Sequence, residues 1–184
     1  MSELKARSVE LLPIREKDIP LLHAWRNSKD FRVLCSTRRN EVTIDQFTKE
    51  LQKDMEKDGR RQFVVSRRGV PVGTIYSYQH NCTDGHAFVS LFLEREARRA
   101  VGVGPLAFVL LIVDLFKSMD LHKVYFEIYS YNIESLSNVR KAKIFEEEGV
   151  FREHRLIGGE RYDLVRMAVY RNQLPKLLMF LGKK

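Results

Sequence analysis

The sequence has few of the residues that build disulfide frameworks and metal sites. Only two cysteines, Cys35 and Cys82, occur among 184 residues, and no Cys-x-x-Cys pair is present. The five histidines show none of the spacings that are typical of metal ligands. We therefore expect neither a metal nor a structural disulfide. Two unpatterned cysteines also favour a reducing, cytoplasmic location.

Long hydrophobic runs are also missing. The longest apolar stretch runs from Pro105 to Val113 and is interrupted by Asp114, so it is too short to span a bilayer. The first residues show no charged segment followed by an apolar one, so we expect no secretory signal and no membrane anchor. Repeats, low-complexity segments and linkers are absent as well. The length then predicts a single domain, residues 1–184, with a sizeable core.

What the sequence does contain is a basic, glycine-rich stretch between two apolar segments, Arg98-Arg99-Ala100-Val101-Gly102-Val103-Gly104-Pro105. It follows a strand-like run and precedes a helix-like run. Glycines let the backbone turn tightly and approach a ligand closely, and the free N–H groups at a helix start suit a phosphate. Pro105 is expected at the first helical position, where its missing N–H has no consequence. The stretch therefore predicts a site for a diphosphate-bearing cofactor.

Two common phosphate-binding patterns do not fit this stretch. The P-loop requires Gly-Lys-Ser/Thr after the glycines, and the dinucleotide fingerprint requires a third glycine. What remains is Arg-x-x-Gly-x-Gly, from Arg99 to Gly104. Taken alone, this pattern is also compatible with a helix entry that happens to be rich in glycine.

Hydrophobic periodicity and turn residues predict the other elements. The predicted helices are residues 17–28, 43–58, 106–117, 134–147 and 174–181. The predicted strands are residues 8–14 (an edge strand), 62–66, 70–79, 86–93, 123–130, 150–157 and 161–170. This order, β-α-α-β-β-β-α-β-α-β-β plus a C-terminal helix, predicts a mixed sheet with helices on both faces.

The chain resembles the GNAT N-acetyltransferase superfamily over nearly its whole length. Its loop resembles the family's acyl-CoA loop, usually Gln/Arg-x-x-Gly-x-Gly/Ala. The following strand, Asn132, Ser135, Lys141 and Glu148-Gly149 resemble the family's second half in order and spacing. One departure is that the usual Lys-x-Gly-Phe becomes Lys141-Ala-Lys-Ile-Phe145, without the glycine. The resemblance implies an α/β (α+β) fold with a mixed, mostly antiparallel central sheet.

The resemblance also implies acetyl-CoA as the cofactor and assigns residues to it. The strand before the loop would offer backbone N–H groups to the thioester carbonyl, from Leu91, Phe92 or Leu93. Asn132 and Ser135 would form a polar pair on the cofactor side, although Asn132 also suits a helix cap. The loop residues assigned to the cofactor are Arg98, Arg99, Ala100, Val101, Gly102, Val103 and Gly104.

Glu127 is the candidate general base. A carboxylate inside a β-rich run is unfavourable unless it faces solvent or has a purpose, and some relatives have a base five residues before the Asn. The alternatives are a surface residue or a partner for a nearby arginine. The family's usual leaving-group acid, a tyrosine seven residues after the Asn, is Val139 here. Ser135, a water molecule or one of three tyrosines would then replace it: Tyr129, Tyr131 or Tyr162.

Arg26, Asn27 and Arg32 are the candidate acceptor-binding residues. They lie at the end of the first predicted helix, which borders the acceptor site in this family. A Trp-Arg-Asn element there resembles both ribosomal-protein N-terminal acetyltransferases and acetyltransferases of nucleotide-linked amino-sugars. Arginine suits phosphate or carboxylate, so we expect a nucleotide-linked or acidic acceptor rather than a cationic polyamine.

The net charge of +8 favours an anionic partner. Part of the excess would serve the CoA phosphates. The basic residues are spread along the chain without interleaved aromatic residues, so we expect no direct nucleic-acid binding.

The sequence therefore predicts an acetyl-CoA-dependent N-acetyltransferase that transfers the acetyl group directly to a primary amine of a protein N-terminus or a small molecule. A homodimer is left open. The alternative is a catalytically degenerate CoA-binding regulator, which the missing tyrosine and glycine favour slightly.

Overall fold

The computed structural model describes residues 4–6, 8–35 and 40–182. The strands are β1 (Leu4–Ala6), β2 (Val9–Pro13), β3 (Gln62–Arg67), β4 (Val70–Asn81), β5 (His86–Leu93), β6 (Lys123–Tyr129), β7 (Glu146–Ile157) and β8 (Glu160–Tyr170). The helices are α1 (Ile19–Asn27), α2 (Lys29–Leu34), α3 (Ile44–Met55), α4 (Arg95–Arg99), α5 (Val103–Ser118), α6 (Ile133–Ala142) and α7 (Leu174–Gly182), and short 3-10 turns precede α1 and α7.

All eight strands form one sheet in the order β1-β2-β3-β4-β5-β6-β8-β7. Every neighbouring pair is antiparallel except β5 and β6, which run parallel. This confirms the predicted α/β (α+β) class with a mixed, mostly antiparallel sheet. One prediction was wrong: residues 8–14 were expected at the sheet edge, but β2 lies between β1 and β3. The three-residue β1, which forms the edge, is too short to give a periodic signal.

The sheet is covered on both faces because its strands alternate. On β3, Phe63 and Val65 join the cluster built around α5, whereas Val64 joins the cluster built by α1, α2 and α3. The larger cluster surrounds α5, whose apolar residues are buried nearly all round. Such a helix is typical of the interior of a packed layer. The smaller cluster contains Trp25, Phe31 and Phe92.

Three predicted helix boundaries were wrong by three residues or more, and one of them is the end of α3, at Met55 rather than at residue 58. Helix α5 begins at Val103, so Pro105 is its third residue rather than its first, and Gly102 is the N-cap. A proline is tolerated there because the first four N–H groups of a helix have no intrahelical partner. Helix α6 ends at Ala142, five residues before its predicted end, and Lys143 follows in the left-handed region with φ 53°.

Within the described residues, no helix combines the length and the apolar character needed to cross a membrane. The same residues include no cluster of three or more His, Cys, Asp or Glu side chains that would hold a metal ion.

Candidate active site

The sheet opens between its two parallel strands. β5 and β6 pair only at His86–Lys123, Ala87–Val124 and Phe88–Tyr125, yet β5 continues to Leu93 and β6 to Tyr129. Beyond Phe88 the β6-facing edge of β5 therefore pairs with no strand of the described residues. Such an edge presents backbone N–H and C=O groups to a ligand.

Two cavities meet at this opening. The first, here called the loop cavity, has a volume of about 430 Å³ and lies between β5, β6, α6 and the segment 98–105. The second, the outer cavity, has a volume of about 1120 Å³ and lies between α3, β4 and the β6–β8 side of the sheet. Cys35, Ser90 and Glu127 line both cavities. We call these three residues the junction.

Nearly all of the residues that the sequence assigned to the cofactor line the loop cavity. The exception is Val103, whose side chain is 2% exposed and belongs to the core around α5. Those that line the cavity are Leu91, Phe92, Leu93, Arg98, Arg99, Ala100, Val101, Gly102, Gly104, Asn132 and Ser135.

The start of α5 presents free backbone donors to the loop cavity. Gly102 has φ 85°, a conformation that suits glycine. The N–H groups of Val101, Gly102 and Gly104 make no backbone hydrogen bond with any described residue. Arg98 Nη2 donates to Asp30 Oδ2 at 3.0 Å, while its Nη1 is buried without a partner among the described residues. This is a helix N-terminus with an added guanidinium, the arrangement that binds phosphates.

Successive residues of β5 direct their backbone N–H and C=O groups alternately toward β4 and toward the opening. The Glu94 N–H donates to the Val72 carbonyl on the β4 side, and the Cys35 thiol lies 3.4 Å from the Leu91 carbonyl oxygen on the other side. In a strand, the N–H and C=O of one residue point to the same side, and the side alternates along the chain. Leu91 and Leu93 therefore direct their N–H groups into the opening, and Phe92 directs its own toward β4.

Glu127 lies opposite Arg166 in the β6–β8 register. Arg166 Nε and Nη2 both donate to Glu127 Oε1, at 3.0 and 2.6 Å. The guanidinium lies 5.1 Å from the ring centre of Phe88 and 4.8 Å from that of Phe151. The predicted alternative, an arginine partner for Glu127, is thus present. The paired carboxylate nevertheless lies at the junction of the two cavities.

The junction holds further polar groups that the sequence did not single out. Ser90 lies opposite Tyr76 on the β4–β5 ladder, so the two side chains are on the same face of the sheet. Burial raises the pKa of Tyr76, and burial together with the Glu127 charge raises that of Tyr78. Burial also raises the pKa of the Cys35 thiol to about 12, against the opposing charge of Arg98. Ser90 was detectable as a polar residue inside an apolar strand.

The candidate proton donors differ in their surroundings. Ser135 and Tyr129 line the loop cavity, and the Tyr129 hydroxyl accepts a hydrogen bond from Arg155 Nη1 at 3.2 Å. The Tyr131 hydroxyl is bound to the Val33 carbonyl, and that of Tyr162 to Glu160 on the exposed surface. Asn132 precedes α6 without a side-chain capping bond.

The three predicted acceptor residues do not lie together. Arg26 is buried and lines the outer cavity. Asn27 binds the backbone of Val42 instead, accepting from its N–H at 3.0 Å and donating to its carbonyl at 2.9 Å. Arg32 pairs with Glu41 at 3.2 Å, and its carbonyl accepts from Arg155.

Solved structures with the same fold include several acetyltransferases. A spermidine N-acetyltransferase from Vibrio cholerae, solved with CoA and spermine, matches with a TM-score of 0.80 at 19% identity over 91% of this chain and 98% of that chain. The ribosomal L7/L12 α-N-protein acetyltransferase RimL, solved with CoA, matches with a TM-score of 0.78 at 14% identity, covering 92% and 98%. A putative acetyltransferase from T. thermophilus matches with a TM-score of 0.76 at 18% identity, covering 99% and 96%. At these identities the likeness concerns the fold.

No curated protein sequence matches the chain. The family model described as an acetyltransferase (GNAT) domain matches residues 8–143, which is most of the chain and includes the loop, β6 and α6. That match confirms the family predicted from the loop and the second half of the sequence. The chain therefore belongs to the GNAT acetyltransferase family.

Proposed function

We propose that the protein is an acetyl-CoA-dependent N-acetyltransferase that transfers the acetyl group directly to a primary amine. The observation that supports this most strongly is the meeting of two cavities at Glu127. One cavity is lined by a helix start that suits a phosphate, and the other is wide enough for an acceptor. The CoA complexes of the spermidine acetyltransferase and of RimL support the choice of cofactor.

The loop cavity suits CoA because it offers unpaired donors at both ends. The N–H groups of Val101, Gly102 and Gly104 and the unpaired Arg98 Nη1 would bind the diphosphate. The Leu91 and Leu93 N–H groups, which face the opening, would hold the thioester carbonyl. Backbone donors fixed in this way stabilise the charge that develops on a carbonyl oxygen during acyl transfer. Asn132 and Ser135 would contact the cofactor between these two ends.

The acceptor amine would enter from the outer cavity. As its nitrogen bonds to the acetyl carbon and the carbon–sulfur bond breaks, Glu127 would take the amine proton. The departing sulfur requires a proton in turn. Ser135 and Tyr129 are candidate donors on the cofactor side because both line the loop cavity.

Direct transfer is favoured over an acyl-enzyme. Cys35 is the one described cysteine in the site, and its raised pKa of about 12 keeps it a neutral thiol at physiological pH. The thiolate is the nucleophilic form. Cys35 is therefore unsuited to attack a thioester.

The acceptor classes that we propose are a protein N-terminus and a nucleotide-linked amino-sugar. The second candidate function is a CoA-binding regulator without activity, which the presence of Val139 in the loop cavity favours. We place the reaction in the cytoplasm, in line with the two free cysteines. A homodimer also remains a proposal, and gel filtration with light scattering tests it.

Thiol release from acetyl-CoA tests the proposal directly. The acceptor panel consists of N-terminal peptides, nucleotide-linked amino-sugars, polyamines and aminoglycosides, and calorimetry measures CoA binding in parallel. We expect CoA binding together with amine-dependent thiol release. CoA binding without release for any amine would support the regulator. Absence of CoA binding would overturn both functions.

A further inference from the structure

Arg26 is a buried cation for which residues 4–6, 8–35 and 40–182 supply no anionic partner. It lies near the end of α1, is 9% exposed and lines the outer cavity. Its guanidinium lies 5.8 Å from the ring centre of Phe31, and its Nη1 is buried without a hydrogen-bond partner in the described part of the chain. No carboxylate among the described residues pairs with it.

Three other cations of the outer cavity are paired. Arg166 binds Glu127 at 2.6 Å, and Asp54 lies 2.5 Å from Lys57 and 3.5 Å from Arg60. The buried, unpaired charge in this cavity therefore belongs to Arg26. Removing a charged group from water without pairing it is strongly unfavourable, so folding alone gives no reason for an arginine here.

Arg60, which lines the same cavity, also has a nitrogen atom without a hydrogen-bond partner among the described residues. Its guanidinium lies 4.3 Å from the ring centre of Tyr76, and its Nε is buried without a partner. Tyr76 lies opposite Ser90 of the junction in the β4–β5 register. Two arginines, each with an unpartnered buried nitrogen, thus line one cavity, and guanidinium groups bind phosphate and carboxylate with high selectivity.

We propose that the acceptor amine carries an anionic group, a phosphate or a carboxylate, which Arg26 binds in the outer cavity. This inference rests on the proposed acetyltransferase function and adds the chemical class of the acceptor. Arg26 and Glu127 line the same outer cavity, so one acceptor molecule in this cavity could reach both. The remaining cavity leaves room for a larger group attached to it.

Amines matched in shape but not in charge test this selectivity. The phosphate arm compares glucosamine 6-phosphate with glucosamine, and the carboxylate arm compares 4-aminobutyrate with butylamine. In at least one arm we expect the anionic member to have a KM lower by roughly tenfold or more, as hydrogen bonds to a charged group typically give. Equal KM values in both arms, or a preference for spermidine, would overturn the inference while leaving the acetyltransferase function intact.

Variants of Arg26 distinguish a role of this residue in binding the acceptor from a role in the stability of the fold. Arg26→Gln should abolish the preference for the anionic amine and leave CoA affinity unchanged, whereas Arg26→Lys should retain part of it. Arg68→Gln, in the exposed turn between β3 and β4, is the matched control and should behave like the wild type. Arg26→Leu should melt at the same or a higher temperature, because it removes a buried unpaired charge. A clear fall in melting temperature would instead assign Arg26 a structural role.

A binding measurement decides the inference even if no amine is acetylated. Calorimetry with CoA-loaded protein uses inorganic phosphate, glucosamine 6-phosphate and 4-aminobutyrate as probes. Binding of an anionic probe that Arg26→Gln abolishes and Arg68→Gln preserves would support the site. The absence of binding by all three probes would overturn it.

Discussion

The Glu127 carboxylate is held at one oxygen only. Both hydrogen bonds from Arg166 go to Oε1, and no described group bonds Oε2. Arg166 is itself held between Phe88 and Phe151. The ion pair therefore orients the carboxylate and leaves one oxygen free for the role of proton acceptor that we propose.

Replacing this carboxylate by an amide of the same shape tests its role. We expect Glu127→Gln to lower turnover by about a hundredfold at neutral pH, the lower end of general-base effects. CoA affinity, measured by calorimetry, should stay close to that of the wild type. Unchanged turnover with an unchanged pH profile would show that Glu127 only pairs with Arg166.

Asn27 contributes to stability through its amide. In addition to its two bonds with Val42, its Nδ2 lies 3.0 Å from His23 Nε2. Asn27→Ala would leave the Val42 N–H without its partner, whereas the Val42 carbonyl keeps its contact with His23 Nε2 at 2.8 Å. We therefore expect the free energy of unfolding to fall by about 1 kcal/mol in urea titrations. Asn172→Ala, at an exposed position after β8, is the control. Equal stability of the two variants would contradict this role.

At the scale of elements, two glycines at the start of α5 differ in backbone conformation, although both belong to the same Arg-x-x-Gly-x-Gly pattern in the sequence. Gly102 has φ 85°, whereas Gly104 lies inside the helix, where an added Cβ would meet Leu93 and Leu91 side-chain atoms only at 3.7 and 3.9 Å. A side chain at Gly102 is strained by roughly 1–2 kcal/mol, but Gly104 tolerates one. Gly104 is therefore the position at which ligand binding can be tested without disturbing the fold.

We expect Gly104→Val to fold with wild-type stability and to weaken CoA binding by roughly tenfold or more, because its side chain obstructs a phosphate at the helix start. Gly102→Ala should lower the melting temperature instead. Calorimetry and thermal unfolding of both variants measure the contrast. Unchanged CoA affinity in a stable Gly104→Val protein would remove the loop from the cofactor site.

At the end of α6, a lysine occupies the position that a glycine usually takes after a helix. Lys143 takes the left-handed conformation, φ 53°, that glycine usually occupies after a helix. We expect Lys143→Gly to raise the free energy of unfolding by about 1 kcal/mol, since the strain of a side chain in this region disappears. Lys141→Gly, inside the helix, should have the opposite effect. Destabilisation by Lys143→Gly would contradict this interpretation.

The same helix end explains one limit of the sequence analysis. Without a glycine to mark the stop, polar periodicity extended the predicted helix to residue 147. Helices α2 and α4 have six and five residues, too few for a periodic signal. The long elements and the loop were predictable because hydrophobic period and glycine spacing are local properties. An arginine partner for Glu127 was among the predicted alternatives, but which arginine it is depends on strand register across 39 residues and was not predictable.

At the scale of the whole molecule, the site arises from the way the sheet is assembled. The one parallel pair joins β1–β5 to β6–β8, and it is bonded over only three register positions. The two parts separate beyond them, and both cavities open at the separation. A ligand bound there would connect the two parts and so stabilise the fold, by about 2.7 kcal/mol at a concentration one hundred times its dissociation constant.

Amide hydrogen exchange along β5 tests this arrangement residue by residue. In the free protein we expect the Leu91 and Leu93 N–H groups to exchange rapidly, because they face the opening, and the Phe92 N–H to exchange slowly, because it faces β4. Saturating CoA should slow exchange at Leu91 and Leu93 by more than at Val65, on the distant β3, which is slowed only by the general stabilisation of the fold. Since Phe92 lies between the two, it is an internal control for general stabilisation. Uniform protection of all three residues in the free protein would show that the opening is closed in solution, and the backbone would then be unable to hold the thioester.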